Sequence, residues 1–250
     1  MTLNPQKLNS LFAELCLRWN FEPECELPGG HCSRVWASDD SVLKIPFQGE
    51  ERTTGLRASL LLQGHGGPHI HQSDPESGSM LMQRIQPGNK LSDSPISEQQ
   101  AREITADFIR HFRGLPADQM LPLSDFGYPE CSLLKNLTAD GGEHVFLHGD
   151  LHHENILRSA DGWALIDPKG LCGDPAYEVV AFLRNPIGRL PSGGALKSLI
   201  IERIKWFADD LDLDPWRIAA WLTIDMMNPS EPWHELSRIT SEVLDHFEKC

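Results

Sequence analysis

Leu8, Leu11, Phe12 and Leu15 fall three and four positions apart, the spacing of one helix face, and Pro5 stands where a first helical turn tolerates a missing amide hydrogen. Beyond Gly29-Gly30 the pattern shifts to extended chain. His31 to Ala37 and Ser41-Val42-Leu43-Lys44-Ile45-Pro46 read as strands joined through an Asp39-Asp40 turn. Glu50 to Gln63 returns to helix and stops at Gly64-His65-Gly66-Gly67, and Ser79 to Ile85 is a further apolar strand closed by Pro87-Gly88. These elements predict a small β-rich N-terminal lobe over residues 1–86, led by a helix.

After Asn89 helical patterns dominate. Ser97 to Phe112 predicts a helix with Ser97 as its N-cap. Gly114 to Gly142, with Pro116, Pro122 and Pro129, reads as loop-rich. Short strands (Val145-Phe146-Leu147, Ile156-Leu157 and Trp163 to Ile166) flank a polar segment. Ala176 to Leu183, Ala195 to Leu211, Pro215 to Met227 and Trp233 to Phe247 read as helices, with Asp214-Pro215 a cap-and-proline start. The expected class is α+β, with a larger, mainly helical C-terminal lobe over residues 87–250.

Composition narrows the function. No apolar run approaches the ~20 residues that span a bilayer, and Met1 to Asn20 lacks the pattern of a signal peptide. Six scattered cysteines without a CxxC pair suit reduced thiols, so a cytoplasmic location is expected and no membrane partner. A formal charge of −14 argues against nucleic acid. It favours a cationic small molecule, the more so because Ile201 to Cys250 holds eleven Asp/Glu against five Lys/Arg.

The chemistry concentrates in His148-Gly149-Asp150-Leu151-His152-His153-Glu154-Asn155 and in Asp167, which ends the run Ala164-Leu165-Ile166. Phosphoryl transfer asks for positioning and charge stabilisation rather than covalent chemistry. Asp150 is placed to orient an attacking hydroxyl, and Asn155 and Asp167 supply oxygen ligands for Mg²⁺ against the ATP phosphates. His148 is expected to fasten the loop. Lys44, mid-strand between Leu43 and Ile45, is costly there unless its amine meets a partner, which ATP phosphates would provide. Gly29, Gly30 and Ser33 would bring backbone amides to the phosphates. Gln83, Arg84 and Ile85, at the link between the lobes, would hold adenine through backbone groups.

His148 to Leu157, with Trp163-Ala164-Leu165-Ile166-Asp167-Pro168-Lys169-Gly170 and its continuation through Gly173-Asp174-Pro175, resembles the aminoglycoside phosphotransferases, and among them the streptomycin- and hydroxyurea-type kinases. The resemblance implies a bilobal protein-kinase-like fold, ATP and Mg²⁺, and transfer of the γ-phosphate to a hydroxyl of a small, often cationic molecule such as streptomycin. It also implies that Asp174 braces the catalytic loop, with Glu178 in a similar structural part. In such folds the lysine pairs with a glutamate on the next helix; Glu50 and Glu51 are the acids at its start.

Three other readings stand beside this one. His148, Asp150, His152 and His153 form a zinc- or manganese-hydrolase pattern, although no second HxH accompanies them. A catalytically silent nucleotide-binding module would carry the same lobes. A housekeeping kinase of a metabolite alcohol would carry the same motif. Asp210, Asp225, Glu231 and Glu235, with Trp233, are acids and an aromatic wall for a cation, each read more readily as a solvated helix residue.

Overall fold

The computed structural model describes residues 5–28, 32–47, 51–139, 144–227 and 233–248. The chain forms two compact units, one spanning residues 1–90 and 156–170, the other 91–155 and 171–250.

In the first unit, helix α1 (Pro5–Trp19) precedes strands β1 (Cys25–Leu27), β2 (Ser33–Ala37) and β3 (Ser41–Pro46), helix α2 (Glu51–Leu62), and strands β4 (Ile70–Asp74) and β5 (Ser79–Gln83). The strands make one antiparallel sheet in the order β1-β2-β3-β5-β4. Leu8 and Leu15 of α1 pack on Trp36, Leu43, Ile45 and Leu81, and Phe12 stacks on Trp36 at 4.2 Å. Leu43 and Ile45 are fully buried, each stabilising the fold by roughly 1.5–3 kcal/mol. Leu56 of α2 packs with Ile70, Met80 and Met82, and Val42 joins that cluster. Because side chains alternate along a strand, Lys44 shares the face of Val42, opposite Leu43 and Ile45.

The second unit opens with α3 (Glu98–Phe112). Its Ser97 hydroxyl accepts from Gln100 N at 3.2 Å while Gln100 Oε1 accepts from Ser97 N at 2.9 Å, a reciprocal cap that contributes about 1 kcal/mol. β6 (Leu121–Pro122), α4 (Ser132–Ala139) and β7 (Val145–Leu147) follow. The stretch expected to be loop-rich, Gly114 to Gly142, contains this helix, which buries Leu134 and Leu137 on one face.

The hairpin β8 (Ile156–Ser159) and β9 (Gly162–Leu165) returns to the first unit. Arg158 N donates to Asn89 O at 2.7 Å and Leu165 N to Gly66 O at 2.8 Å.

β10 (Leu171–Gly173) then lies between β6, to which it is parallel, and antiparallel β7. The continuous helix expected from Ala176 to Leu183 is instead a 3₁₀ turn (Pro175–Tyr177) and the single-turn α5 (Val180–Leu183). Glu178 is drawn inward to accept from Gly149 N, which interrupts the helical run between them. α6 (Gly193–Leu211), α7 (Pro215–Asp225) and α8 (His234–Glu248) complete the unit. Asp214 caps α7 through Trp216 N at 2.8 Å, with Pro215 at its first position. Arg203 of α6 is only 1% exposed. Its Nη1 donates to the carbonyls of Phe182, Leu183 and Asn185 at 2.8–3.0 Å, satisfying the orphan carbonyls at the end of α5. Among the described residues no helix is long and apolar enough to cross a membrane.

Candidate active site

The first unit carries a lysine–aspartate ion pair. Lys44 Nζ donates to Asp167 Oδ1 at 2.7 Å. Asp167 adopts a left-handed backbone, φ 58°, rare for a residue with a Cβ and found where surrounding structure enforces it. That enforcement comes from the next residues. Thr54 Oγ1 donates to Lys169 O at 2.8 Å, and Gly170, at φ 69°, lies so close to α2 that a Cβ would stand 2.3 Å from Thr54 O. Beside Lys44 and Asp167 is a recess of about 270 Å³, counted to its open mouth and floored by Leu62, Met80, Met82 and Leu165. Its walls are mainly apolar, with the Lys44–Asp167 pair among the lining groups.

The second unit carries the acidic loop after β7. Gly149 turns it at φ 82°. Glu178 Oε1 accepts from Gly149 N at 3.4 Å, and His148, fully buried, accepts from Asp150 N at Nδ1, also at 3.4 Å. Asn155 Nδ2 donates to Asp150 O at 2.9 Å, which leaves Oδ1 as the acceptor end of that amide. An amide oxygen and the Asp167 carboxylate are hard donors of the type Mg²⁺ accepts. No group of three or more His, Cys, Asp or Glu suited to a metal gathers among the described residues.

Asp150 has a cationic neighbour that the sequence did not announce. Arg184, immediately after α5, donates from Nη2 to Asp150 Oδ1 at 3.3 Å, while its Nε lies 2.9 Å from Asp225 Oδ2. Asp225 Oδ1 accepts from Tyr128 Oη at 3.1 Å, and Tyr128 and Tyr177 share a hydroxyl contact of 2.7 Å. Burial above all pushes both phenols well above their ordinary value, with Asp225 adding to it in each case, so they stay neutral hydrogen-bonding groups. Trp233 is buried beneath the Arg184 guanidinium, 5.7 Å from the ring centre. Asp225 and Trp233 are thus packed residues rather than solvated helix positions.

Other expected residues fall elsewhere. Ser33 pairs with Pro46 in the sheet and is buried, away from the lining of the recess. Gln83 N and Arg84 N already donate to His69 O and Asp40 O, at 2.8 and 2.7 Å, so those two amides are engaged within the fold. Gly29, Gly30, Glu50, Glu231 and the Glu51 side chain lie outside the described residues. Asp174 does not hold the catalytic loop among the described contacts. Its Oδ2 accepts from Arg217 Nε and Trp221 Nε1, both at 2.7 Å, and Glu178 braces the loop instead. His153 is buried, stacks on Phe182 at 4.1 Å, and is pushed by burial down to about 3.

Residues 128–234 match the family described as aminoglycoside/hydroxyurea antibiotic resistance kinase. A streptomycin 6-kinase of Streptomyces griseus is 25% identical over 244 residues, covering 86% of this chain and 79% of that protein. A streptomycin 3''-kinase of Klebsiella pneumoniae is 28% identical over 230 residues, covering 82% and 85%. The crystal structure of a thermostable mutant of aminoglycoside phosphotransferase APH(4)-Ia, in ternary complex with AMP-PNP and hygromycin B, superposes with a TM-score of 0.57 at 14% identity, covering 96% of this chain and 98% of that one. The chain is similar in sequence to these streptomycin kinases and shares the fold of the aminoglycoside phosphotransferase structure.

Proposed function

We propose that this protein is a kinase that moves the γ-phosphate of ATP to a hydroxyl of a small cationic acceptor, with streptomycin or a related aminocyclitol as the substrate. The observation that carries the reading is the Lys44–Asp167 pair, 2.7 Å apart beside an apolar recess. The streptomycin kinases among its relatives, and the acidic charge of the chain, support the acceptor.

Lys44 would hold ATP phosphate oxygens by charge-assisted hydrogen bonds, while Leu62, Met80 and Met82 would keep water from the base. Asp167 and Asn155 would hold Mg²⁺, which supplies neutralisation of phosphate charge. Asp150 accepts the hydrogen bond of the acceptor hydroxyl and directs its lone pair at the γ-phosphorus. The acceptor oxygen–phosphorus bond forms as the bond from phosphorus to the ADP oxygen breaks. The hydroxyl proton passes to Asp150 and then to solvent.

Mg²⁺-dependent ADP release from ATP in the presence of streptomycin, with mass spectrometry of the phosphorylated product, tests this. Turnover that disappears in Asp150→Ala is the expected result. Absence of product with streptomycin and other aminoglycosides would reject the acceptor class.

A further inference from the structure

Arg184 sits between two carboxylates that are 75 positions apart in the chain. Its planar guanidinium meets them through different nitrogens, Nη2 toward Asp150 Oδ1 at 3.3 Å and Nε toward Asp225 Oδ2 at 2.9 Å. Neighbouring groups hold both ends of this bridge. Asp225 is held at its other oxygen by Tyr128, and the guanidinium lies over Trp233. The carbonyls of Leu183 and Asn185, on either side of Arg184, are bound by buried Arg203. The side chains of Arg184 and Asp225 are 14% and 13% exposed, so the pairing is little weakened by water.

We propose that Arg184 is a positioning residue, anchored by Asp225, which fixes the Asp150 carboxylate in the direction needed to receive the acceptor hydroxyl. This rests on the kinase reading above and adds to it a part for Arg184 and α7. A carboxylate on a loop turns readily about its side-chain bonds. One charge-assisted hydrogen bond to a clamped guanidinium removes much of that freedom, and a misplacement of ~1 Å at a reacting group costs turnover on the order of 100-fold. Lysine would not substitute well, because one ammonium nitrogen lacks the fork that spans both acids. Arg184 offsets one of the two acid charges, so the pair keeps a net negative charge suited to a cationic acceptor.

The test is steady-state phosphorylation of streptomycin by the full chain carrying Arg184→Ala, Arg184→Lys, Asp225→Asn, or Arg184→Ala with Asp225→Asn. Arg184→Ala should lower kcat about 10- to 100-fold with KM for ATP within about twofold. Arg184→Lys should recover only part of the loss, and millimolar methylguanidinium should restore part of the Arg184→Ala activity. The double variant should be no slower than Arg184→Ala alone, because Asp225 acts through Arg184. If Arg184→Ala fails to fold, a lowered kcat in Asp225→Asn, with unchanged KM for ATP, carries the same meaning. Near-wild-type kcat in whichever of these variants folds would overturn the proposal. So would additive losses confined to KM for streptomycin, which would make Asp225 an acceptor contact. Wild-type protein inactive on every acceptor would overturn the kinase reading and this assignment together, and it is told apart because no variant is involved.

Discussion

Lys44 Nζ and Asp167 Oδ1 lie 2.7 Å apart across 123 residues of sequence. The lysine comes from the third strand of the sheet and the aspartate from the turn after the β8–β9 hairpin, both within the first unit. The lysine that costs energy on an apolar strand is therefore matched by a carboxylate before any nucleotide arrives.

The two partners should fail differently when replaced. Lys44→Met should weaken ATP binding by at least about tenfold, because phosphate contacts of the ground state are lost. Asp167→Asn should keep nucleotide binding but slow turnover by about 100-fold or more, because charge on the transferring group is no longer balanced. Titration with a fluorescent ATP analogue, beside ADP-release rates, separates them. Equal effects on binding would contradict the division of roles.

Gly170→Ala should disturb this arrangement without touching a charge. Its backbone lies at φ 69° and an added Cβ would meet Thr54 O at 2.3 Å. A loss of about 1–3 kcal/mol in urea unfolding is expected, with slower turnover because Asp167 moves with the displaced turn. Wild-type turnover in a stable Gly170→Ala protein would show that the turn does not set Asp167.

Asp174→Ala should be among the more destabilising single changes in the second unit. The carboxylate, 10% exposed, pairs with Arg217 at 2.6 Å and accepts from Trp221 Nε1 at 2.7 Å. Its removal strands a cation and an indole N–H, at a cost of about 3–5 kcal/mol. The thermal midpoint checks this, and a small shift would mean that water reaches Arg217.

Local signals explain why much of the fold was legible. The Ser97–Gln100 cap, Asp214-Pro215 and the alternating Ser41–Pro46 strand each encode their element within a few residues. α4 was hidden because its short apolar stripe lies among prolines and glycines, and β10 because a three-residue strand has no period of its own. The grouping of residues 156–170 with the first unit is a tertiary fact, set by hydrogen bonds such as Leu165 N to Gly66 O. At the site, Asp150, Asn155 and Asp167 stand out by spacing. Arg184 does not, since its partners are 34 residues before it and 41 after. An arginine beside Asn185-Pro186 carries no sequence signature of its task.

Glu178 gives the chain a pH dependence of unusual sign. Burial above all pushes its carboxyl well above the ordinary value of 4.5, opposed by hydrogen bonds from the Gly149 and His148 amides and aided by the charge of Asp150. The folded state therefore keeps the proton that the unfolded chain releases above about pH 4.5, so Glu178 increasingly lowers stability as pH rises from there toward its raised folded value. Glu178→Gln keeps an oxygen for Gly149 N and removes that titration. The variant should gain on wild type between pH 5 and 8 in chemical denaturation, with the difference levelling off below about pH 4.5. A pH-independent difference would mean that Glu178 is ionised in the fold.

The most direct test of the account is Mg²⁺-dependent ADP release by purified protein with streptomycin, for wild type and for Asp150→Asn at matched thermal stability. The account predicts acceptor-dependent turnover and a phosphorylated product in the wild type, and turnover slowed by at least about 100-fold in the variant. Equal turnover in both proteins, or none in a wild type that binds ATP, would contradict it.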